Sequence, residues 1–350
     1  MSDESRVRYA GLVASIVVLS ALVCPVAAAA GLDLDAPFEQ WLRYAKDEEN
    51  APDLPFTLTI SSPKTTLLPN EPLVLDWRLS YTGSESIWIR KPEVMVHITE
   101  PGGTGYNLRE TTHFMTSQPP PVQVEPGYVH ASGMLLQTAA RRGVPPVVVP
   151  FSRPGVYEVR CAFGPLVTDP DRATGSRRGK LVRSNVLTVT VNPAKGRDAE
   201  AGALYRTVLL GTYSPKEAAR EEAAAAAERL ATEFGDTVFG LYERLPRIAV
   251  AGRWGVHAAG YADTRDVEHT RAQAQQSRVE MFEAFVRDAE AADFPLLDSA
   301  MQQLAQAYLS AHMEAEAQEI CETMRKRFPD SRHTEHVERL LRGEEDPPVP

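Results

Sequence analysis

Leu73-Val74-Leu75-Asp76-Trp77-Arg78-Leu79 places an apolar side chain at every second position, with Leu73, Leu75, Trp77 and Leu79 on one side and Asp76 and Arg78 on the other. Successive side chains of a strand leave the backbone on opposite faces, so a period of two marks a strand with one buried face. Upstream, Phe56-Thr57-Leu58-Thr59-Ile60 repeats the pattern. Downstream, strand-like runs are read at 86–89, 94–99, 128–136, 156–163 and 186–191. Turn pairs separate them: Pro69-Asn70, Thr82-Gly83, Pro101-Gly102-Gly103, Pro126-Gly127 and Pro154-Gly155. Such a succession of short strands, with no helical period among them, predicts an antiparallel β-sandwich over residues 53–193.

After Asn192-Pro193 the composition turns to Ala, Glu, Arg and Leu, and β-branched residues become sparse. Ser214-Pro215-Lys216-Glu217 reads as a helix start, with Ser as cap, Pro in the first turn and Glu three residues after the cap. Helices are expected at 199–210, from that start through EEAAAAAERLATEF, and at 236–250, 265–291, 297–310, 313–327 and 333–341. The fold class is therefore multidomain, all-β followed by all-α, with the helical domain at 198–342 and a disordered tail at 343–350. Before the sandwich, residues 36–47 put Phe38, Trp41, Leu42 and Ala45 on one helical face, a short N-terminal helix within a 31–52 linker.

The first thirty residues stand apart. Arg6 and Arg8 close a short polar head, no charged side chain occurs from Tyr9 to Gly31, and Leu12 to Val23 is continuously apolar apart from small residues. With Ala28 and Ala30 at its end, this has the three parts of a secretory signal peptide, residues 1–30, cleaved after Ala30. The alternative is a retained membrane anchor, since crossing a bilayer takes roughly 20 apolar residues. Pro25 and the weakly apolar alanines argue against it. Ala21-Leu22-Val23 before Cys24 departs from the triplet that precedes a lipoprotein cysteine. An exported protein, periplasmic or secreted, is expected. Cys161 and Cys321 remain after cleavage; they fall in different domains, so they are read as buried thiols and not as a disulfide framework.

Charge divides unevenly. Residues 31–196 carry 17 basic and 17 acidic side chains, residues 197–350 carry 18 and 28. A domain so acidic is a poor match for a phosphate backbone, which disfavours nucleic acid as a partner. Arg177, Arg178, Lys180 and Arg183 form a basic cluster in the loop before the last strand, read as a solvated hairpin tip or a contact for an acidic surface.

Two resemblances follow from these residues. Pro154-Gly155-Val156-Tyr157, followed by the closing strand from Ser184-Asn185 to Val191, resembles the end of an immunoglobulin-like bacterial domain, in which a tyrosine near the start of the penultimate strand packs at the corner. The paired cysteines of true immunoglobulin domains are missing. Asp298 to Ser331 resembles one 34-residue tetratricopeptide unit. Counted from Asp298, Leu304, Ala305, Tyr308, Ala317 and Pro329 fall at that family's leucine, small, tyrosine, alanine and proline positions, while Met301 replaces its tryptophan and Cys321 its large aromatic. Glu233 to Thr237 echoes Arg327 to Ser331 as the end of a looser upstream copy.

The second resemblance implies a face, on the first helix of the unit, that holds extended peptides. Carried onto this chain it comprises Gln302, Gln306 and Leu309. The expectation is an exported cell-envelope binding or scaffold protein with a protein or peptide partner. It would be non-enzymatic, with no metal or cofactor. An inhibitor or accessory module of an exported enzyme, working through sandwich loops such as the Pro-rich 117–126 segment, is the alternative. His333-Thr334-Glu335-His336 has one-turn spacing but lacks the further ligands and base of a zincin, and its histidines are read as solvated. His257 and His269 flank a Gly-rich stretch, 252–260, read as a link between helices; Asp169 and Asp171 are too few oxygens for calcium.

Overall fold

The computed structural model describes residues 51–90, 94–103, 105–109, 121–138, 148–168, 176–212, 214–258 and 267–344. The leader, the 36–47 helix, Ser117 to Pro120, Asp169, Asp171 and the tail beyond Glu344 lie outside the described residues.

The N-terminal part is β-rich. Its strands are β1 (Phe56–Ser61), β2 (Thr66–Leu67), β3 (Leu73–Tyr81), β4 (Ile87–Ile89), β5 (Val94–Thr99), β6 (Gly105–Arg109) and β7 (Val122–Val124). They continue as β8 (Val129–Leu136), β9 (Gly155–Phe163), β10 (Leu166–Thr168), β11 (Ser176–Arg178), β12 (Val182–Arg183) and β13 (Leu187–Val191). Three sheets result, ordered β1-β3-β8, β11-β10-β4-β7 and β2-β13-β9-β5-β6, with β12 on β9. All pairings are antiparallel except β13 with β2.

The period-two runs explain the core. Leu73, Leu75, Trp77, Leu79 and Tyr81 of β3 are buried while Asp76 and Arg78 of the same strand are exposed. They share one apolar cluster with Phe56, Leu58 and Ile60 of β1, Ile89 of β4, Val96 and Ile98 of β5, Val124 of β7, Tyr157, Val159 and Phe163 of β9, and Val189 and Val191 of β13. Strands of all three sheets thus bury their apolar face in the same place, the arrangement that removes most hydrocarbon from water.

Two local devices tie the sheets. Tyr157 is fully buried, and its hydroxyl donates to the Arg153 carbonyl at 2.8 Å while accepting from the Arg153 N–H at 3.2 Å, fastening the strand to the turn before it. At that turn Gly155 has φ +144 and an added Cβ would lie 2.5 Å from Pro101 Cγ, so the position requires glycine on both grounds. Ser184-Asn185 forms the second device. Ser184 donates its N–H to Cys161 O at 2.9 Å, and its hydroxyl accepts the Cys161 N–H at 2.8 Å. The Asn185 amide then takes the Ile60 N–H at 2.8 Å and donates to Ile60 O at 3.0 Å. One side chain stands where a neighbouring strand's peptide would be, satisfying the edge of β1.

Beyond Val191 the described residues form seven helices: α1 (Gly196–Thr212), α2 (Glu217–Glu233), α3 (Val238–Ala258), α4 (Val267–Ala291), α5 (Leu297–Ser310), α6 (Glu314–Arg327) and α7 (Arg332–Leu341). None of the described helices is long and apolar enough to cross a membrane. Helix α3 runs on through Gly252 and Gly255 to Ala258, so the Gly-rich stretch read as a link is helical over most of its length. Neighbouring helices pack α3 on α4, α4 on α5, and α5, α6 and α7 on one another. Arg244 secures the first of these joints, reaching Asp288 and the Gly235 carbonyl, both at 2.6 Å, and lying over the Phe285 ring. Tyr242, Phe285 and Phe294 continue the joint as edge-on ring pairs at 4.8 and 5.8 Å.

Candidate functional site

Helix α5 separates two environments. Leu304, Ala305, Ala307 and Tyr308 are buried, facing a core to which α6 contributes Ala317, Cys321 and Met324. Small Ala305 and Ala317 are fully buried. Tyr308 ends its apolar path in a hydrogen bond, donating to Glu283 Oε1 of α4 at 2.7 Å. Burial first and the Glu283 carboxylate second push its phenol well above the ordinary value of 10, so it stays a donor.

The other side of α5 carries Asp298, Gln302, Gln306 and Leu309, spaced four, four and three residues apart and therefore on one line of the helix. Gln302, Gln306 and Leu309 are all half-buried. Three polar pairs run from this line to the start of α7. Asp298 Oδ2 accepts the Ser331 hydroxyl at 2.6 Å. Gln302 Oε1 accepts from Nδ1 of His333. The Gln306 amide donates to Nε2 of His336 at 3.0 Å. Ser331 doubles as the helix cap, its hydroxyl accepting the His333 N–H at 3.1 Å.

These pairs correct one expectation. His333 and His336 are half-buried and hydrogen-bonded, where the sequence reading made them solvated. Burial holds the His333 imidazole below its ordinary 6.5; the Asp298 charge opposes that shift, and Arg332 and His336 reinforce it. The ring is consequently neutral at pH 7, with the proton on Nδ1 where Gln302 receives it. The signal that could have found the seam is the line Asp298, Gln302, Gln306 set against the run Ser331 to His336, which supplies a polar partner for each. Pairing across helices is invisible to a scan of either helix alone.

Elsewhere the sequence candidates scatter. Cys161 and Cys321 are free and buried; burial pushes the Cys161 thiol up to about 12 and raises that of Cys321 as well. Lys180 approaches Asp53 at 3.9 Å, and Arg177 and Arg178 fall in β11. Among the described residues no three of the side chains His, Cys, Asp and Glu gather as metal ligands would. Beyond Asp298, the α5 line offers uncharged groups, the Gln302 and Gln306 amides beside Leu309, the chemistry that meets a peptide backbone and an apolar side chain.

No family model matches the chain, and no curated protein does. Among solved structures, it is similar to a β-glucosidase from Listeria innocua in complex with glucose, at 14% identity over 39% of this chain and 16% of that one, with a TM-score of 0.23. It is also similar to the CARDB domain of a Pyrococcus furiosus protein in complex with di-metal ions, at 14% identity over 41% of this chain and 92% of that one, with a TM-score of 0.22. The chain thus spans about one sixth of the glucosidase's length.

Proposed function

We propose that this chain is an exported cell-envelope binding or scaffold protein, non-enzymatic, whose helical part is tetratricopeptide-like and holds an extended segment of a partner protein along α5. The observation that carries the reading is the division of α5. Its leucine, small and tyrosine repeat positions Leu304, Ala305 and Tyr308 are buried, and Ala317 of α6 with them. The line Gln302, Gln306 and Leu309 keeps part of its surface in water. The small residues let two helices approach, which is the physical reason the repeat needs them at those positions.

The β-rich part is read as an immunoglobulin-like sandwich that presents or spaces the helical part. The shared core of its three sheets, the Tyr157 tie to Arg153 and the Ser184-Asn185 junction support that reading. Export rests on the leader at 1–30, with a retained anchor as the alternative outcome. Sequencing the N-terminus of the protein from its native envelope is expected to return Gly31; a chain still beginning near Met1 would establish the anchor.

The binding test uses the full chain immobilised against envelope extract. Q302K/Q306K is expected to lose the retained partners at least tenfold, because two cations replace neutral amides on the reading face. Gln318→Lys on exposed α6 surface is expected to keep them. Equal recovery by the double variant discards the face.

A further inference from the structure

Helix α7 already occupies the polar line on which a partner would lie. Its hold is slender. It is ten residues long, and a helix of that length is marginal by itself. Its buried residues are Thr334 and Val337. Leu340 and Leu341 at its far end are half-buried, and its first turns are held to α5 by polar pairs: Ser331 on Asp298, His333 on Gln302 and His336 on Gln306. Toward α6 it has the Arg325–Glu338 pair at 2.8 Å, well exposed on the arginine side and so of small worth.

We propose that α7 is an acid-released latch: neutral His333, paired with Gln302 beside the Gln306–His336 pair, holds it over this line of α5, and protonation of His333 frees it. This rests on the binding reading only for what the opened face would receive.

The geometry makes protonation unfavourable in three ways. Nε2 of His336 accepts from the Gln306 amide, and a proton there turns acceptor into donor, so the amide must turn over to keep a bond. The two imidazoles sit three residues apart, in the first turns of α7, where the helix dipole opposes positive charge. The surrounding charges do not compensate fully. Asp298 of α5 is one carboxylate, already accepting from Ser331 and from the Ser299 N–H. Arg325 of α6, and Arg332, Arg339 and Arg342 on or beside α7, add positive charge; Glu338 is shared with Arg325 and Arg342, leaving Glu335 on α7 itself. The sign follows from burial. A base held below 6.5 in the folded protein stabilises the closed latch fully above that pH, and the contribution is lost as pH falls from 6.5 toward the lowered value.

Hydrogen exchange of the full chain, corrected for intrinsic rates, tests it. Between pH 7.5 and 5.5 the amides of 335–341 are expected to lose protection by up to about tenfold, since only the one unit from 6.5 to 5.5 lies in the window where the lowered imidazole matters, while those of 316–324 in α6 hold theirs. H333N/H336Q keeps a donor near Nδ1 and an amide near Nε2 without a titrating ring, and is expected to remain protected at both pH values. The latch is refuted if α7 in the wild-type chain loses no more protection than α6, a comparison that needs no variant. It is also refuted if the double variant opens in acid as the wild type does. No partner enters the measurement, so a flat exchange profile removes the latch and leaves the peptide face standing. A failed Q302K/Q306K test removes the face and leaves the latch.

Discussion

Removing the Asn185 amide tests how the β-rich part closes its first strand. Ile60 is 5% exposed, and both its peptide groups turn toward Asn185, away from β3. Its register partner Trp77 is therefore a non-hydrogen-bonded neighbour, and nothing in β3 can take over. In Asn185→Ala an N–H and a C=O lose their partners together. Each buried group left unsatisfied costs about 1–3 kcal/mol, and water reaching an edge strand relieves part of it, so about 2 kcal/mol in total is expected. For a unit of this size that lowers the melting temperature by about 6 °C. Asn185→Asp discriminates the cause. It retains the acceptor for Ile60 N–H but sets a carboxylate against Ile60 O, and is expected to cost at least as much as alanine at pH 7. Chemical unfolding followed through the strand tryptophans Trp77 and Trp88, with exchange read at the Ile60 amide, measures both. An Ala variant within about 0.5 kcal/mol of wild type, the range of an ordinary surface change, or an Asp variant as stable as the parent, would refute the argument.

Other outcomes follow from single contacts. Tyr157→Phe loses a buried hydroxyl paired with both polar groups of Arg153 and should lower stability by about 1–2 kcal/mol in the same unfolding assay. Lys64→Ala leaves Glu71, wholly buried, without the ammonium 2.7 Å away; since Lys64 is itself 24% exposed, about 2 kcal/mol is expected, below the figure for a fully buried pair. Gly240→Ala would set a Cβ 2.0 Å from Phe234 O and 2.8 Å from Gly235 Cα, both backbone, so about 3 kcal/mol or failure to fold should appear in circular dichroism. Cys161 and Cys321 should resist alkylation in the native protein and react on unfolding, as peptide mapping would read, because burial holds both thiols protonated.

The parts of the fold legible in the sequence were those where one residue's environment repeats at fixed spacing. The strand-like run at 94–99 corresponds to β5 residue for residue, and the alternating run from Leu73 extends to Tyr81 as β3. The helices read at 297–310 and 313–327 differ from α5 and α6 by at most one residue, since a wide apolar stripe and clear stops bound them. The strands β2, β4, β7 and β10 to β12 have two or three residues each, too few to show a period; β4 alone was read, one residue long. Their existence is decided by partners such as Val167 opposite Ile89. Helix α3 shows the opposite error. Gly252 and Gly255 each lower helix propensity by about 1 kcal/mol, and the sequence reading ended the helix there, but propensity is a weak prior beside the rest of the chain.

The candidate site divides along the same line. That Gln302, Gln306 and Leu309 share a face of α5 follows from helical arithmetic and needed no coordinates. That His333 and His336 meet two of them could not be read, because it depends on the angle at which α7 returns, where Ser331 caps the helix and Thr334 Oγ1 donates to Phe328 O at 2.9 Å. The consequence is functional as well as structural. A polar side chain on an exposed helix face is ready for any partner, whereas one already paired within the chain sets a competition between that partner and the resident helix. On the proposed reading, the affinity of the α5 line for an extended segment is reduced by the fraction of molecules in which α7 is closed, and the proposed latch at His333 ties that fraction to pH.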